Sequence, residues 1–135
     1  MPGPRIAFGR MAAPIRVMLV DDVDHVRRML RNMLDLDGFE VVAECANGAR
    51  AVEAVAEANP DVVVIDYQMP DMDGIETAAR IRAARPEQVM IMYTAFLEPD
   101  VEERAREVGV ALVLGKVEGL ESLEREISRL CGTLF

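Results

Sequence analysis

The sequence predicts an α/β fold: one doubly wound, parallel five-stranded sheet with helices on both faces. Three observations carry this expectation. Short runs such as IRVMLV, VVVI and VMIMY are apolar throughout, which is how a strand covered on both faces reads. Segments of helical period or helix-forming composition separate them, so strand and helix alternate five times. Strict alternation implies parallel strands joined by right-handed crossovers. Finally, 135 residues with 51% hydrophobic content is the size of one domain with a real core. Aromatics make up only 4% and tryptophan is absent, so that core must be built from Val, Leu, Ile, Met and Ala.

In chain order, Ile15 to Val20 is the first strand and ends in Asp21 and Asp22. From Val23 the period changes. Val26, Leu30, Met33 and Leu34 fall at helical spacing, Arg27, Arg28 and Arg31 lie mostly on other faces, and Gly38 is a stop. Phe39 to Cys45 supplies the second strand. Asn47-Gly48 makes a turn, and the alanine-rich stretch Ala49 to Ala58 is a helix closed by Asn59-Pro60. The third strand, Val62 to Ile65, runs straight into Asp66. After the loop Met69-Pro70-Asp71-Met72-Asp73-Gly74, Ile75 to Ala84 has helix-forming composition and stops before Pro86. Val89 to Tyr93 is the fourth strand, ending at Thr94. Glu98 to Val108 is the fourth helix, with Gly109 placed to cap it. Val110 to Leu114 is the fifth strand, followed by Gly115-Lys116. The fifth helix carries a stripe at Leu120, Leu123, Ile127 and Leu130.

Five such units suit the flavodoxin-like order 2-1-3-4-5, whose topological switch point lies between strands one and three. The expected domain spans residues 15–131, with a flexible N-terminal extension at 1–14 and a C-terminal tail at 132–135. The extension holds three prolines and two glycines, and Met11 near its end would also suit a start codon further upstream.

The fold rule gathers Asp21, Asp22 and Asp66 at the switch point. Two like charges ~4 Å apart repel by about 4 kcal/mol at an effective dielectric near 20. Either one of the carboxyls is protonated or a cation compensates them. Oxygen-only ligands select a hard cation, and a few carboxylates with several waters suit Mg²⁺. Thr94 adds a hydroxyl from strand four, and Lys116 adds a compact positive charge from strand five. Together these groups describe a Mg²⁺-assisted phosphoryl-transfer site, where the protein positions groups and neutralises charge.

The net charge of −9 argues against a nucleic-acid surface and suits a cation site or basic partners. Cys45 and Cys131 lie in no metal-ligand or redox spacing and read as two reduced thiols in a cytoplasmic protein. No apolar run reaches membrane length, and the opening residues lack a signal segment.

From about Ile15 to Leu130 the chain resembles the receiver domains of two-component response regulators. The matching elements are Val20-Asp21-Asp22, Asp66 with the Met69–Gly74 loop after it, Thr94-Ala95, and Lys116. GFEVVAECANG (Gly38–Gly48) and PDVVVID (Pro60–Asp66) look most like receivers of the branch that carries a helix-turn-helix output domain. The resemblance implies that Asp66 accepts a phosphoryl group from a histidine kinase or phosphotransfer protein. It implies that Asp21 or Asp22, with Asp66 and the backbone carbonyl of Gln68, holds Mg²⁺. Lys116 would pair with the phosphoryl oxygens. Thr94 would hydrogen-bond to the phosphoryl group and shift, moving the surface of the fourth helix, fifth strand and fifth helix. The added charge of about −1.5 to −2 biases a two-state loop that a partner reads. A homodimer through the same surface is left open. The implied module is cytoplasmic, is not an enzyme, and contacts neither nucleic acid nor membrane directly.

Two positions depart from the family. Val113 stands three residues before the lysine, where receivers usually carry Tyr or Phe; Tyr93 is the candidate substitute. Val117 follows the lysine where proline is usual, so a cis Lys-Pro bond cannot form. Several of these residues also suit plainer structural roles. Asp22 alone suits a helix N-cap, Asp71 and Asp73 suit turn residues, His25 an exposed bystander, and the methionines gap-fillers. Other functions fit less well. A haloacid-dehalogenase-type phosphohydrolase needs an acid where this chain has Gln68. A flavin or nucleotide binder needs phosphate-cradling loops, whereas DDVDH repels phosphate. A fragment of a longer DNA-binding regulator is the remaining alternative.

Overall fold

Val62, Val63, Val64 and Ile65 are all buried, as a central strand without polar alternation requires. In the computed structural model, which describes residues 13–95 and 97–132, they form the middle of a parallel sheet. Residues 1–12 of the expected extension and 133–135 of the expected tail lie outside the described residues. The elements are β1 (Arg16–Val20), α1 (Asp24–Leu36), β2 (Glu40–Cys45), α2 (Gly48–Ala58) and β3 (Val62–Ile65). Then come α3 (Gly74–Ala84), β4 (Val89–Thr94), α4 (Pro99–Glu107), β5 (Leu112–Gly115), a 3-10 turn (Lys116–Glu118) and α5 (Leu120–Cys131). The strands pair in parallel in the order β2-β1-β3-β4-β5, the expected flavodoxin-like topology.

Alternate strand residues feed two cores. Met18, Val20, Val63, Ile65, Met90, Met92 and Val113 pack with α2, α3 and α4 through Val55, Ala78, Ile81, Val101 and Ala105. Val17, Leu19, Val62, Val64, Ile91 and Tyr93 pack with α1 and α5 through Leu30, Leu34, Leu123 and Ile127. Each fully buried Val, Leu, Ile or Met is worth about 1.5–3 kcal/mol of apolar transfer.

Several local expectations change. Gly48 is not a turn residue but the first residue of α2; Asn47 is the N-cap, its side chain accepting from the Arg50 N–H at 2.9 Å. Asp22 does not cap α1: Val23 holds the cap position, and it is Asp21 Oδ1 that accepts the Val23 N–H at 2.9 Å. The start of β5 moves from Val110 to Leu112, because the Val110 N–H still donates to Ala105 at the end of α4. On α1, Met33 is 42% exposed, whereas Arg27 is buried at 8%.

Candidate functional site

The sheet register sets the site. Val20 pairs with Ile65, so the next residues, Asp21 and Asp66, emerge side by side. The ladder runs on past the strands: the Asp66 N–H donates to Val20 O at 2.9 Å, and the Asp21 N–H donates to Cys45 O at 3.1 Å. One ligand oxygen each from Asp21, Asp22 and Asp66 lies within 4.8 Å of the others. Thr94 pairs with Gly115 at the ends of β4 and β5, and Lys116 follows directly.

Lys116 Nζ lies 3.0 Å from Asp21 Oδ2 and 3.5 Å from Asp66 Oδ2. Burial works against its ammonium form, but the Asp21 hydrogen bond and the charges of Asp66 and Asp21 outweigh it and raise its pKa. Asp66 is also pushed above the ordinary carboxylate range, first by burial and then by the charge on Asp21. Lys116 and the Tyr67 N–H, which donates to Asp66 Oδ1 at 2.8 Å, oppose that shift without cancelling it. Among the described residues the carboxylate of Asp22 has no hydrogen-bond or ion-pair partner. It borders the cleft with Asp66, Gln68, Ala95 and Lys116.

The loop after β3 is built to hold Asp66 still. Asp71 turns with φ 73°, and the Gly74 N–H donates to Tyr67 O at 2.7 Å. Asp73, expected as a turn residue, is instead the N-cap of α3, its Oδ1 accepting from the Glu76 N–H at 2.9 Å. A side chain at Gly74 would overlap the backbone oxygen of Asp66, so only glycine lets α3 begin this close to the end of β3.

The structure thus brings Asp22, Asp66, Gln68 and Lys116 to one cleft, with Asp21 buried behind it against Lys116. Thr94 is fully buried at the strand end and is not among the residues lining it; its neighbour Ala95 is. Tyr93 cannot replace the aromatic missing at Val113. Val113 pairs with Met92 and packs toward α4, whereas Tyr93 points to the opposite face, toward α1 and α5. The sequence reading missed Arg27, whose Nη1 donates to the Asp21 backbone oxygen at 2.6 Å. A signal existed: Arg27, Leu30 and Leu34 share one helical stripe.

Fold and site together define an α/β domain with three crowded carboxylates, able to hold a metal ion, and a lysine paired with two of them at the end of a parallel sheet. Residues 17–128 match the response regulator receiver domain, and the chain belongs to that family. It is 38% identical over 105 residues to the transcriptional regulatory protein PdtaR of Mycobacterium tuberculosis, covering 78% of this chain and 51% of that protein. The chain therefore spans about half the length of that relative. It is 42% identical over 82 residues to the chemotaxis protein CheY of Listeria monocytogenes, covering 61% of this chain and 69% of that one. Among solved structures, a LuxR-family DNA-binding response regulator from Staphylococcus aureus matches with TM-score 0.81 and 29% identity, over 87% of this chain and 99% of that chain. Among the described residues no helix is long and apolar enough to cross a membrane.

Proposed function

We propose that this domain is a cytoplasmic phosphoacceptor that takes a phosphoryl group on Asp66 from the phosphohistidine of a sensor kinase or phosphotransfer protein. The observation that carries the reading is the convergence on Asp66 of two further carboxylates and one lysine. An Asp66 carboxylate oxygen attacks phosphorus, the phosphorus–nitrogen bond breaks, and the leaving imidazole takes up a proton. Lys116 lies where it can neutralise the equatorial oxygens as charge moves onto them.

The donor set fits Mg²⁺: oxygen ligands only, crowded, with Asp22 left unpaired. Asp22 and Asp66 with the Gln68 backbone carbonyl would hold the ion, and Asp21 would hold Lys116. When bound, Mg²⁺ supplies positive charge to the phosphoryl oxygens. Acetyl phosphate should add one phosphoryl group per chain, read by intact mass. Peptide mapping should place it on Asp66, and chelation should prevent it. Label on another residue, or label indifferent to chelation, would overturn the assignment.

Output follows from Thr94. Its buried side chain stands at the end of β4, and on phosphorylation of Asp66 it would shift to hydrogen-bond the phosphoryl group. We place the responding surface on α4, β5 and α5, where a second copy or an output partner would read it. Val113 fills the aromatic position with a smaller, buried side chain, so the coupling we propose runs through Thr94 without an aromatic partner there. Beryllofluoride with Mg²⁺ should therefore shift NMR amides through Pro99–Glu107 and Leu112–Gly115. Shifts confined to the cleft would remove this part of the reading. The PdtaR similarity supports a place within a longer regulator of transcription, and the LuxR-family similarity supports a DNA-binding one, with any DNA contact lying outside this acidic domain.

A further inference from the structure

We infer that Arg27 is a positioning residue for the cation site, holding the Asp21–Asp22 peptide so that the Asp22 carboxylate faces the cleft. The inference rests on the phosphoacceptor reading and assigns a role within it. Among the described residues Arg27 is the buried cation, 8% exposed on the inward stripe of α1 that also carries Leu30 and Leu34. A leucine there would serve the core at least as well, since a buried ion pair seldom outperforms apolar packing of the same volume. The guanidinium is instead spread over three acceptors. Nη1 donates to the Asp21 backbone oxygen at 2.6 Å, Nη2 to Asp24 Oδ1 at 2.9 Å, and Nε to Glu44 Oε1 at 3.3 Å. Glu44 is itself fixed by Arg31 Nη1 at 2.6 Å, which anchors the cluster to β2.

The effect falls on the neighbouring ligand. Every polar group of Asp21 is engaged: its N–H by Cys45 O, its carbonyl by Arg27, Oδ1 by the Val23 N–H and Oδ2 by Lys116. Asp21 is therefore the fixed support, and the open carboxylate is that of Asp22. The carbonyl that Arg27 grips belongs to the peptide leading into Asp22, so its orientation sets where the Asp22 side chain points. A planar fork serves three acceptors at once, which a lysine ammonium on a flexible stem cannot reproduce.

The test is a titration of the full chain with Mg²⁺ alone, followed by the NMR amide shifts of Tyr67 and Gln68, with unfolding curves alongside. Arg27→Met should weaken Mg²⁺ binding about tenfold, the size of loss expected when a hydrogen bond behind a metal ligand is removed. Labelling by acetyl phosphate should fall at low Mg²⁺ and recover as Mg²⁺ is raised. Arg27→Lys, which keeps the charge and loses the fork, should bind as weakly as Arg27→Met. A lysine variant with wild-type affinity would overturn the geometric role, as would a folded Arg27→Met with unchanged affinity. Should Arg27→Met not fold, Glu44→Gln loosens the same guanidinium from the β2 side. Its Mg²⁺ affinity should drop, and an unchanged value would overturn the inference. A wild-type chain that shows no Mg²⁺-dependent shifts would instead sink the phosphoacceptor reading itself.

Discussion

Replacing Asp66 by asparagine is expected to abolish phosphoryl uptake and to make the folded domain more stable at neutral pH. The first effect removes the only oxygen nucleophile that the proposed reaction uses. The second follows from electrostatics. The Asp66 side chain is 11% exposed, and burial together with Asp21 raises its pKa in the folded state. A raised carboxyl pKa means that the folded chain holds the proton more tightly than the unfolded one. That contribution is complete below the ordinary carboxylate range and is lost as pH rises through the raised folded value. At neutral pH the charged carboxylate is thus a net penalty, which asparagine removes at nearly constant volume. A gain of about 0.5–2 kcal/mol is the usual scale when a functionally strained position is relieved. Denaturant unfolding should show the gap between variant and wild type closing as pH falls. Mg²⁺ should stabilise the wild type and largely spare the variant, because binding to the native state adds stability by mass action. An asparagine variant less stable than wild type at neutral pH would contradict this account.

Lys116→Met should act in the opposite direction on stability and still suppress the chemistry. The ammonium sits 3.0 Å from Asp21 and 3.5 Å from Asp66, so its loss leaves the carboxylates without their counter-charge. The lysine pKa is raised, so its contribution is fully present at neutral pH and fades only as strongly alkaline pH passes through the folded value. Breaking a buried pair costs about 3–5 kcal/mol. Lys116 is 25% exposed, so solvent screening brings the expectation down to about 1–3 kcal/mol. Mg²⁺ should restore much of this, since the ion supplies the missing charge, and should bind the variant more tightly than it binds wild type. The rate of labelling at saturating Mg²⁺ should fall about 100-fold, the loss typical of removing one preorganised partner of a developing anion. A variant labelled at the wild-type rate would take Lys116 out of the mechanism.

The strand ends were legible because the cues there are local. Val62–Ile65 is apolar at every position and stops at a carboxylate, and the topology rule for such strands then places Asp21 and Asp22 beside Asp66. What stayed hidden depends on contacts between distant segments. Arg27 read with Arg28 and Arg31 as lying off the apolar face because its partner Glu44 lies on β2, 17 residues away in sequence. Tyr93 read as a stand-in for the aromatic absent at Val113, and only the pairing of Met92 with Val113 reveals that the two side chains leave opposite faces of the sheet. Val110 looked like strand because it is apolar and buried, yet its amide belongs to the closing turn of α4.

The Gly74 contact has a mechanical consequence. The carbonyl of Asp66 is wedged against the start of α3, its amide is held by β1, and the loop is closed by the bond from Gly74 to Tyr67. Asp66 therefore stands on a rigid footing, tied at once to β1 and to the start of α3. Across the cleft Ala95, directly after β4, is exposed, and Leu97 is 43% exposed. One side of the cleft is thus pinned by close backbone contacts while the side at the end of β4 is open to solvent, which gives the domain a polarity between a fixed edge and an exposed one.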